Sequence, residues 1–319
     1  MGGIIVEYTL YDHHKRYRTW SGELRRRYGQ KVCKIPLNAG FGCPNRDGTL
    51  SYGGCTFCSN EAFTPSYCRP GKSVRQQLQE GIEFHRNRYR QADRYLAYFQ
   101  SFSNTYAPLD RLKTVFAEAF ELPEVAGIIV GTRPDCIDGR KLDYLAELAQ
   151  RYYVTIEYGI ESCYDKTLQE INRGHDFDCA LRAVEATAAR GIPVGAHFIL
   201  GLPGETRAMM QDQVGRINAL PLTTVKFHQL QIFKGTRMAE MYREHPADFH
   251  FFGVDEYIDF VIDLLERIRP DLVLERFASE APPRYQAGPT WGLIRNEQLW
   301  SRFECRLRER DTFQGALFR

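Results

Sequence analysis

A strand-like run followed by a helix-like stretch recurs along the chain, and this alternation constrains the fold more than any other feature. The candidate strands are nearly continuous in apolar character and cover 32–37, 95–101, 126–132, 153–159, 194–200 and 224–232. The candidate helices between them cover 73–92, 110–121, 140–151, 177–190 and 206–219. Apolar strands that alternate with helices predict a parallel sheet covered on both faces. Six such units indicate an α/β fold, a partial (β/α)6 barrel that is open rather than closed.

Two further helices, 254–268 and 295–310, are expected after the last strand. They predict a C-terminal helical extension packed on the barrel. We therefore divide the chain into a basic N-terminal extension (1–30), the partial barrel (31–240) and the C-terminal extension (241–319). Asp110, Asp176 and Thr206 stand where helix N-caps are expected. Functional residues of such barrels lie at the C-terminal ends of the strands, in the loops that follow.

Composition excludes some classes of protein. No apolar run reaches the roughly 20 residues of a membrane span, and the mean hydropathy is −0.43. The short apolar stretch at the N-terminus precedes its charges, which is the wrong order for a secretory signal, so we expect a cytoplasmic protein without a membrane partner. The nine cysteines are an odd number, which favours reduced thiols or metal ligands over a disulfide framework.

Charge is unevenly distributed although the net charge is only +2. Residues 13–34 carry a single acid, Glu23, and eight bases: Lys15, Arg16, Arg18, Arg25, Arg26, Arg27, Lys31 and Lys34. Residues 244–280 lean acidic. Such asymmetry fits either an anionic partner or an ordinary solvated face.

Three cysteines lie in one glycine-rich loop after the first candidate strand. Cys43 is separated by eleven residues from Cys55, which forms a CxxC pair with Cys58. Thiolates are soft ligands that suit zinc or an iron–sulfur cluster. A structural zinc site needs four ligands, for which Cys33 or Cys68 could be recruited. A four-iron cluster on three thiolates instead leaves one iron open to a substrate. The spacing favours the cluster and leaves zinc as the alternative.

At this point the sequence resembles the radical S-adenosylmethionine (SAM) superfamily, in which three loop cysteines include an aromatic residue, here Phe57, just before the last. The eleven-residue gap and further motifs are similar to the bacterial YhcC/YtqA-type subgroup, which is related to elongator catalytic-subunit-like and coproporphyrinogen-oxidase-like radical SAM proteins. The motifs are RRYGQKV (26–32), CPNRDGT (43–49), GGCTFC (53–58), YLAYFQ (95–100), VGTRPDC (130–136), DKTLQEINRGHDF (165–177), ILGLPGE (199–205) and FKGT (233–236).

The resemblance implies a radical SAM barrel with two cofactors, a 4Fe-4S cluster on Cys43, Cys55 and Cys58, and SAM on the open iron. One electron cleaves SAM, and the resulting 5′-deoxyadenosyl radical removes a hydrogen atom from the substrate. The implied SAM-binding residues are Phe57, Tyr98, Phe99, Gln100, Glu161, Ser162, Arg173, Ile199, Gly201 and Gly204. Among them, 98–100 serve the SAM amino group, Glu161 and Ser162 the ribose, Arg173 the carboxylate and 199–205 the adenine.

Other polar residues near the strand ends have open roles. His197, Lys226, His228 and Gln229 lie on the fifth and sixth candidate strands, where a lone histidine is more often a core residue than a catalyst. Cys136 and Cys163 follow the third and fourth strands. Either could supply a hydrogen atom, but an isolated cysteine is commonly a small buried hydrophobe.

Two substrate classes are consistent with the sequence. Kinship with the elongator-like group suggests tRNA wobble-uridine modification, and Tyr17, Trp20 and Tyr28 among the N-terminal bases suit base stacking and phosphate contact. Arg86, Arg88 and Arg90 add to the positive surface. The alternative is a small carboxylate-bearing or porphyrin-like metabolite, and a zinc-stabilised, non-enzymatic binding module is a third, remote possibility. Radical chemistry also requires an electron donor, which we expect to be a flavodoxin or ferredoxin.

Overall fold

Seven parallel strands form the central sheet of the computed structural model, which describes residues 15–69, 71–88 and 92–319. Every strand pairs with its neighbour in sequence, in the order β1 to β7. The strands are β1 (Val32–Leu37), β2 (Arg94–Phe99), β3 (Val125–Thr132), β4 (Tyr153–Glu161), β5 (Val194–Leu200), β6 (Thr224–Gln229) and β7 (Val273–Arg276).

Helices connect the strands and cover the outer face of the sheet. They are α1 (Trp20–Tyr28), α2 (Val74–Arg86), α3 (Leu109–Ala117), α4 (Gly139–Ala149), α5 (Asp165–Glu170), α6 (Phe177–Ala188), α7 (Arg207–Ala219), α8 (Arg237–Glu244), α9 (Val254–Leu265) and α10 (Asn296–Glu309). Outward-facing strand residues such as Ile35, Phe99 and Phe198 are fully buried against these helices in one continuous core. Burial of both faces explains the apolar character of the strands. No helix in the described ranges has the length and apolarity to cross a membrane.

The sheet curls into a partial barrel. Lys34 of β1 forms ion pairs with Glu157 of β4 and with Glu275 of β7. Side chains of the first and last strands can meet only if the inner face of the sheet is concave. Helix α1 closes the N-terminal end of this barrel, where Trp20 lies over the Lys34 ammonium group at 4.3 Å from the ring centroid.

The predicted fold class, an α/β partial barrel with a C-terminal helical extension, is confirmed, but the number of strands is seven rather than six. The additional strand, β7, pairs in parallel with β6, with Val273 opposite Thr224. It escaped the sequence analysis because it is four residues long and two of them, Glu275 and Arg276, are charged. Its position on the sheet therefore depends on pairing with β6 rather than on a local pattern.

Element boundaries agree closely with the expected ones, with small differences. The β1 and β5 ranges match, while β2 ends at Phe99 and β6 at Gln229. Asp176 and Thr206 are N-caps whose side chains accept backbone N–H groups. The expectation for Asp110 was wrong, since α3 begins at Leu109 directly after Pro108 and Asp110 lies in the first turn. The domain boundaries at 30 and 240 stay a prediction.

Both ends of the described chain protect the outer edge of β7. The Leu274 N–H donates to the Arg18 carbonyl at 2.9 Å, and the Arg18 N–H donates to Oε1 of Gln314 at 2.9 Å. Ion pairs join Lys15 to Glu304 and Arg16 to Asp311. Because the Leu274 N–H, which an edge strand would expose, is bonded to Arg18 and the other contacts hold Arg18 in place, the edge of β7 is covered rather than open for pairing with another chain.

Gly127 is required where β3 packs on β4. A Cβ atom at this position would lie 2.1 Å from the Tyr153 carbonyl oxygen, which is backbone and cannot rotate away. We expect Gly127→Ala to lower the free energy of unfolding by about 2–3 kcal/mol, measured by urea denaturation. Gly215→Ala is the matched control, because no atom lies within 4 Å of its added methyl group in α7. It should raise stability by about 0.5–1 kcal/mol. Equal stability of the two variants would contradict the β3–β4 packing.

Candidate active site

A cavity of about 260 Å³ opens at the C-terminal ends of the strands, and we call it the chamber. Its walls come from the cysteine loop after β1, the ends of β2 to β6, and β7. Cys43, Cys55 and Cys58 all line it, on the β1 side. His197, His228 and Arg276 line it on the β5–β7 side. The three candidate cluster cysteines and several other candidate residues therefore lie together at this end of the sheet.

The cysteine loop is shaped by its own backbone hydrogen bonds. The Arg46 N–H donates to the Cys43 carbonyl at 2.9 Å, and the Cys58 N–H donates to the Cys55 carbonyl at 3.0 Å. Gly54 adopts a φ of 87°, in the left-handed region that glycine reaches without strain. The loop is thus folded tightly around each cysteine.

A second segment, residues 171–174, holds the loop in place. The Thr56 N–H donates to the Ile171 carbonyl at 3.0 Å, and the Asn172 side chain donates to the Gly54 carbonyl at 2.9 Å. In return, Nδ2 of Asn45 donates to the Asn172 carbonyl at 2.6 Å. These contacts join the CPNRDGT and INRGHDF motifs, which lie more than a hundred residues apart in the sequence.

The thiol groups are surrounded by hydrogen-bond donors. Sγ of Cys55 lies 3.3 Å from Nη1 of Arg173, 3.5 Å from Nδ2 of Asn45 and 3.9 Å from Nη1 of Arg133. Sγ of Cys58 lies 3.8 Å from Nδ2 of Asn60. Guanidinium and amide donors aimed at sulfur stabilise thiolates, the form that binds metals. These residues therefore fit a thiolate-bound cluster.

The three thiols do not converge on a point. In the described part of the chain, no three His, Cys, Asp or Glu side chains are close enough to hold a single metal ion. A four-iron cluster binds each thiolate at a different iron, so its ligands can be spread around one side of a chamber. The arrangement is thus compatible with the cluster that the sequence analysis favoured.

The residues expected to bind SAM divide into two groups. Those that line the chamber are Phe57, Tyr98, Gln100, Glu161, Arg173 and Ile199. Those that do not line it are Phe99, Ser162, Gly201 and Gly204. Phe99 points away because side chains alternate along a strand, and its ring packs on Phe116 with centroids 4.8 Å apart. The two glycines lie in the backbone after β5, where Gly201 donates to Sδ of Met210 at 3.1 Å.

Ser162 is fully buried beside the chamber. Its hydroxyl group donates to the Glu205 carboxylate and accepts the Tyr164 N–H at 3.0 Å. Nε2 of Gln213 donates to the other Glu205 oxygen at 3.3 Å. Burial raises the pKa of Glu205, and its hydrogen bonds only partly oppose this. In this arrangement Ser162 secures the loop after β5 to the end of β4.

Glu161 ends β4 in a strained conformation. Its φ is 72°, in the left-handed region that non-glycine residues seldom adopt, and the register with β5 shifts at this point. The shift turns the carboxylate into the chamber, where Oε1 lies 3.8 Å from Nη2 of Arg173. Burial raises the pKa of Glu161, although the charges of Arg173 and His197 oppose that effect. Backbone strain of this kind is typical of functional sites.

A buried charge cluster forms the floor of the chamber. The Glu157 carboxylate receives Lys226 at 2.6 Å, Lys34 at 2.9 Å and Nε2 of His197 at 3.1 Å. Lys226 also pairs with Glu275 at 2.8 Å. Burial alone would raise the pKa of Glu157, but the two ammonium groups and His197 outweigh it and hold that pKa well below the ordinary value.

Sequence reasoning missed several of these residues. Glu157, Lys34, Glu275 and Arg133 were given no role at the site. Arg133 forms a two-point ion pair with Asp135 and donates to the Arg173 carbonyl at 2.7 Å. For Lys34 and Glu157, the signal that could have found them is a charged residue within an otherwise apolar strand, since such a charge needs a partner.

His197 and His228 face each other with ring centroids 5.5 Å apart, and both line the chamber. Burial, together with the charges of His197 and Arg276, lowers the pKa of His228 well below its ordinary value. Cys136 and Cys163 are buried and do not line the chamber. Burial raises the pKa of Cys136 to about 11, as expected for a small buried hydrophobe rather than a reactive thiolate.

Comparison with known sequences identifies relatives of this chain. The sequence model of the radical SAM superfamily matches residues 37–214, more than half of the chain, and that of the Radical_SAM C-terminal domain matches residues 222–305. YtqA of Bacillus subtilis is 37% identical over 310 residues, covering 95% of this chain and 93% of its own length. YhcC of Escherichia coli K12 is 36% identical over 278 residues, covering 87% and 88%.

More distant similarities concern part of the chain or the fold alone. The tRNA uridine(34) acetyltransferase of Methanocaldococcus infernus is 25% identical over 149 residues, which cover 46% of this chain and 27% of that protein. The solved structure of Elp3 from the same organism superposes with a TM-score of 0.66 and 14% identity, covering 89% of this chain and 64% of that one. The chain belongs to the radical SAM superfamily, in the YtqA/YhcC subgroup, and is an enzyme that uses a 4Fe-4S cluster and SAM.

Proposed function

We propose that Cys43, Cys55 and Cys58 are the cluster ligands. The observation that carries this proposal is that all three thiols line one chamber, with guanidinium and amide donors directed at two of them. When bound, the cluster and SAM supply a 5′-deoxyadenosyl radical that removes a hydrogen atom from the substrate. The chain's own residues orient both cofactors and exclude water from the chamber.

We propose that SAM contacts those of the expected residues that line the chamber. Arg173 is the residue for the SAM carboxylate, because its guanidinium group lies beside Cys55 and is buried. Tyr98 and Gln100 at the end of β2 are assigned to the amino group, Glu161 to the ribose, and Phe57 and Ile199 to apolar contact. Phe99, Ser162, Gly201 and Gly204 contribute by supporting the backbone of these walls.

For the substrate, we propose the side group of a wobble-position uridine in tRNA. The support is the similarity to a tRNA uridine(34) acetyltransferase and the shared fold with Elp3. The N-terminal bases give it less support than their number suggests, because Lys15, Arg16, Arg18, Arg26 and Lys34 are ion-paired with acidic residues. Among the aromatic residues, Tyr17 is buried and stacks on Trp300, so it is not exposed for base stacking. Arg90, one of the three arginines at 86–90 expected to add to the positive surface, lies outside the described residues.

A carboxylate-bearing metabolite is the second candidate, and one observation favours it. Arg276 lines the chamber, whereas none of the described carboxylates lies within ion-pair distance of its guanidinium group. Arg133, Arg173 and Lys226 in the same chamber each have a carboxylate partner. The unpaired charge suits an anionic group on a substrate, which a metabolite or a nucleotide could carry.

We also propose that a small electron-transfer protein, a flavodoxin or ferredoxin, reduces the cluster. The cleavage of SAM consumes one electron, which the cluster has to receive before each cleavage. A protein donor would therefore have to reach the cluster from outside.

The tRNA proposal is tested by comparing modified nucleosides in bulk tRNA from cells with and without the gene. We expect a change confined to uridine derivatives of the wobble position, detected by liquid chromatography and mass spectrometry. A strain that expresses the Cys58→Ala variant should match the deletion strain, because it lacks a cluster ligand. An unaltered nucleoside profile would reject the tRNA proposal and leave the metabolite as the substrate class.

A further inference from the structure

A second cavity of about 300 Å³ adjoins the chamber, and we call it the amide cavity. It lies between the ends of β5 and β6 on one side and residues 280–296 on the other. The two cavities share a wall formed by Gln229, Leu230, Gln231 and Ser279. A volume of this size is within the range of small-molecule binding sites. A molecule held here would lie next to the chamber, on the other side of this wall.

The remaining walls are flat and nearly uncharged. Phe251, Phe252 and Trp291 line the cavity, and Nε1 of Trp291 donates to the Phe252 carbonyl at 2.9 Å, which fixes the indole ring. Among the described residues no lysine or arginine lines it. His250 lines it but lies 3.7 Å from the Glu256 carboxylate, and the carboxylate of Glu280 already accepts a backbone N–H from the start of α10. Aromatic walls without an unpaired cation favour a planar, uncharged ligand over an anion.

Four carboxamide side chains provide the polar lining: Gln229, Gln231, Gln286 and Asn296. Both ends of the Gln229 carboxamide already bond Ser279. Its Oε1 accepts the Ser279 N–H at 2.9 Å, and its Nε2 donates to the Ser279 carbonyl at 2.7 Å. Gln231 donates to the same carbonyl at 3.0 Å, and its Oε1 is buried without a hydrogen-bond partner. A buried acceptor in this state costs about 1–3 kcal/mol unless a ligand or water donates to it.

The other two carboxamides also keep unused groups. Nε2 of Gln286 donates to the Ala281 carbonyl at 3.1 Å, which leaves its oxygen free. The Asn296 side chain has no hydrogen-bond partner among the residues that the structure describes. The cavity therefore offers hydrogen-bond acceptors and a hydrogen-bond donor between apolar walls. Carboxamides of this kind match the edges of nucleobases, which also present N–H and carbonyl groups side by side.

We propose that the amide cavity binds the pyrimidine ring of the substrate nucleotide and so presents the ring's side group to the chamber. This inference rests on the proposed function, because it takes the substrate to be a uridine. The aromatic walls stack on the ring, while Gln231, Gln286 and Asn296 bond its edge. A flipped-out base held between aromatic side chains and amides is the usual way in which an enzyme acts on a single nucleotide.

The test uses the cluster-loaded enzyme with SAM present, so that the chamber is filled, and uridine as the probe. Binding is measured by isothermal titration calorimetry. Thr290 is exposed and lines the cavity, so Thr290→Trp fills it with little risk to folding, and we expect uridine affinity to fall at least about tenfold. Asn296→Ala should weaken uridine binding about fivefold, the effect of one hydrogen bond.

Leu293→Trp is the matched control, because it adds the same ring to the same segment at a side chain that is 85% exposed and does not line the cavity. It should bind uridine like the unmodified enzyme. Unchanged affinity in Thr290→Trp, or no uridine binding up to the solubility limit, would overturn the inference. Binding of N-methylacetamide in place of uridine would overturn it as well, since the ligand would then be peptide-like.

The inference and the proposed function can fail separately. In one case Thr290→Trp abolishes uridine binding, but the tRNA nucleoside profile is the same with and without the gene. That result would reject tRNA as the substrate but keep the base site. A changed nucleoside profile together with normal uridine binding by Thr290→Trp would reject the base site alone.

Discussion

Cys58→Ala is expected to abolish the formation of 5′-deoxyadenosine while the barrel stays folded. The substitution removes one of three thiolate ligands, so the cluster is lost or cannot bind SAM productively. We expect the rate to fall by at least about a thousandfold. The measurements are iron and sulfide content after anaerobic reconstitution, about four of each per chain in the unmodified enzyme, and 5′-deoxyadenosine after reduction in the presence of SAM.

Cys305→Ala is the control for this prediction. Cys305 is exposed on α10, far along the chain from the cysteine loop. Its replacement should leave iron content and 5′-deoxyadenosine formation unchanged. Circular dichroism should be the same for both variants, because Cys58 lies in a loop outside the helices and strands of the barrel. Turnover that survives in Cys58→Ala would refute the ligand assignment.

Glu157→Ala is expected to cause the largest loss of stability. The Glu157 side chain is only 1% exposed and neutralises both Lys226 and Lys34. Without it, Glu275 is left as the one carboxylate partner of these two lysines among the described residues. Removing one partner of a buried ion pair costs about 3–5 kcal/mol, and we expect the free energy of unfolding to fall by that amount. Urea denaturation of the cluster-loaded enzyme measures it.

A surface pair provides the comparison. Glu170 is paired with Lys166 at 3.8 Å and its side chain is 40% exposed, so Glu170→Ala should change stability by less than about 0.5 kcal/mol. Glu157→Gln also removes the carboxylate charge and should lose stability. Adding Lys226→Met to Glu157→Gln should recover part of that lost stability, because one unpaired charge is then removed. If Glu157→Ala and Glu170→Ala were equally stable, the charge cluster would have no structural role.

Low pH is expected to reduce the stability that Glu157 contributes through the buried charge cluster. The pKa of Glu157 is lower in the folded protein than its ordinary value of 4.5, so its contribution to stability is fully present above that pH. The contribution is lost as the pH falls further, through the folded-state pKa. The stability difference between the unmodified enzyme and Glu157→Gln should therefore shrink below pH 4.5. The groups that face Glu157 are Lys34, Lys226 and His197, with Tyr98 and Glu275 next to them.

Much of the fold was predictable because its signal is local. The apolar strands and the capped helices are patterns that neighbouring residues create, and the six longer strands were identified from them. β7 could not be found this way, because four residues with two charges carry no strand pattern. Alternation along β2 could have separated Tyr98, which faces the chamber, from Phe99, which faces the core.

The site was predictable only where a motif was present. The cysteines and Arg173 were found through motifs, whereas the pairing of Lys34 with Glu157 joins residues 123 positions apart. No spacing rule relates two such residues, and only the curl of the sheet brings them together. The same holds for the amide cavity, whose four carboxamides come from the end of β6, the loop after it, the segment before α10 and the first residue of α10.

The arrangement around β7 affects the order of assembly during synthesis. The Leu274 N–H of β7 is covered by Arg18, and the N–H of Arg18 is held in turn by Gln314; these two residues are among the earliest and the latest of the described residues to be made. A nascent chain can therefore form β1 to β6 on the ribosome, but the segment that covers β7 is not fixed until Gln314 has emerged from the exit tunnel. During that interval the edge of β7 is less well protected against pairing with a neighbouring polypeptide.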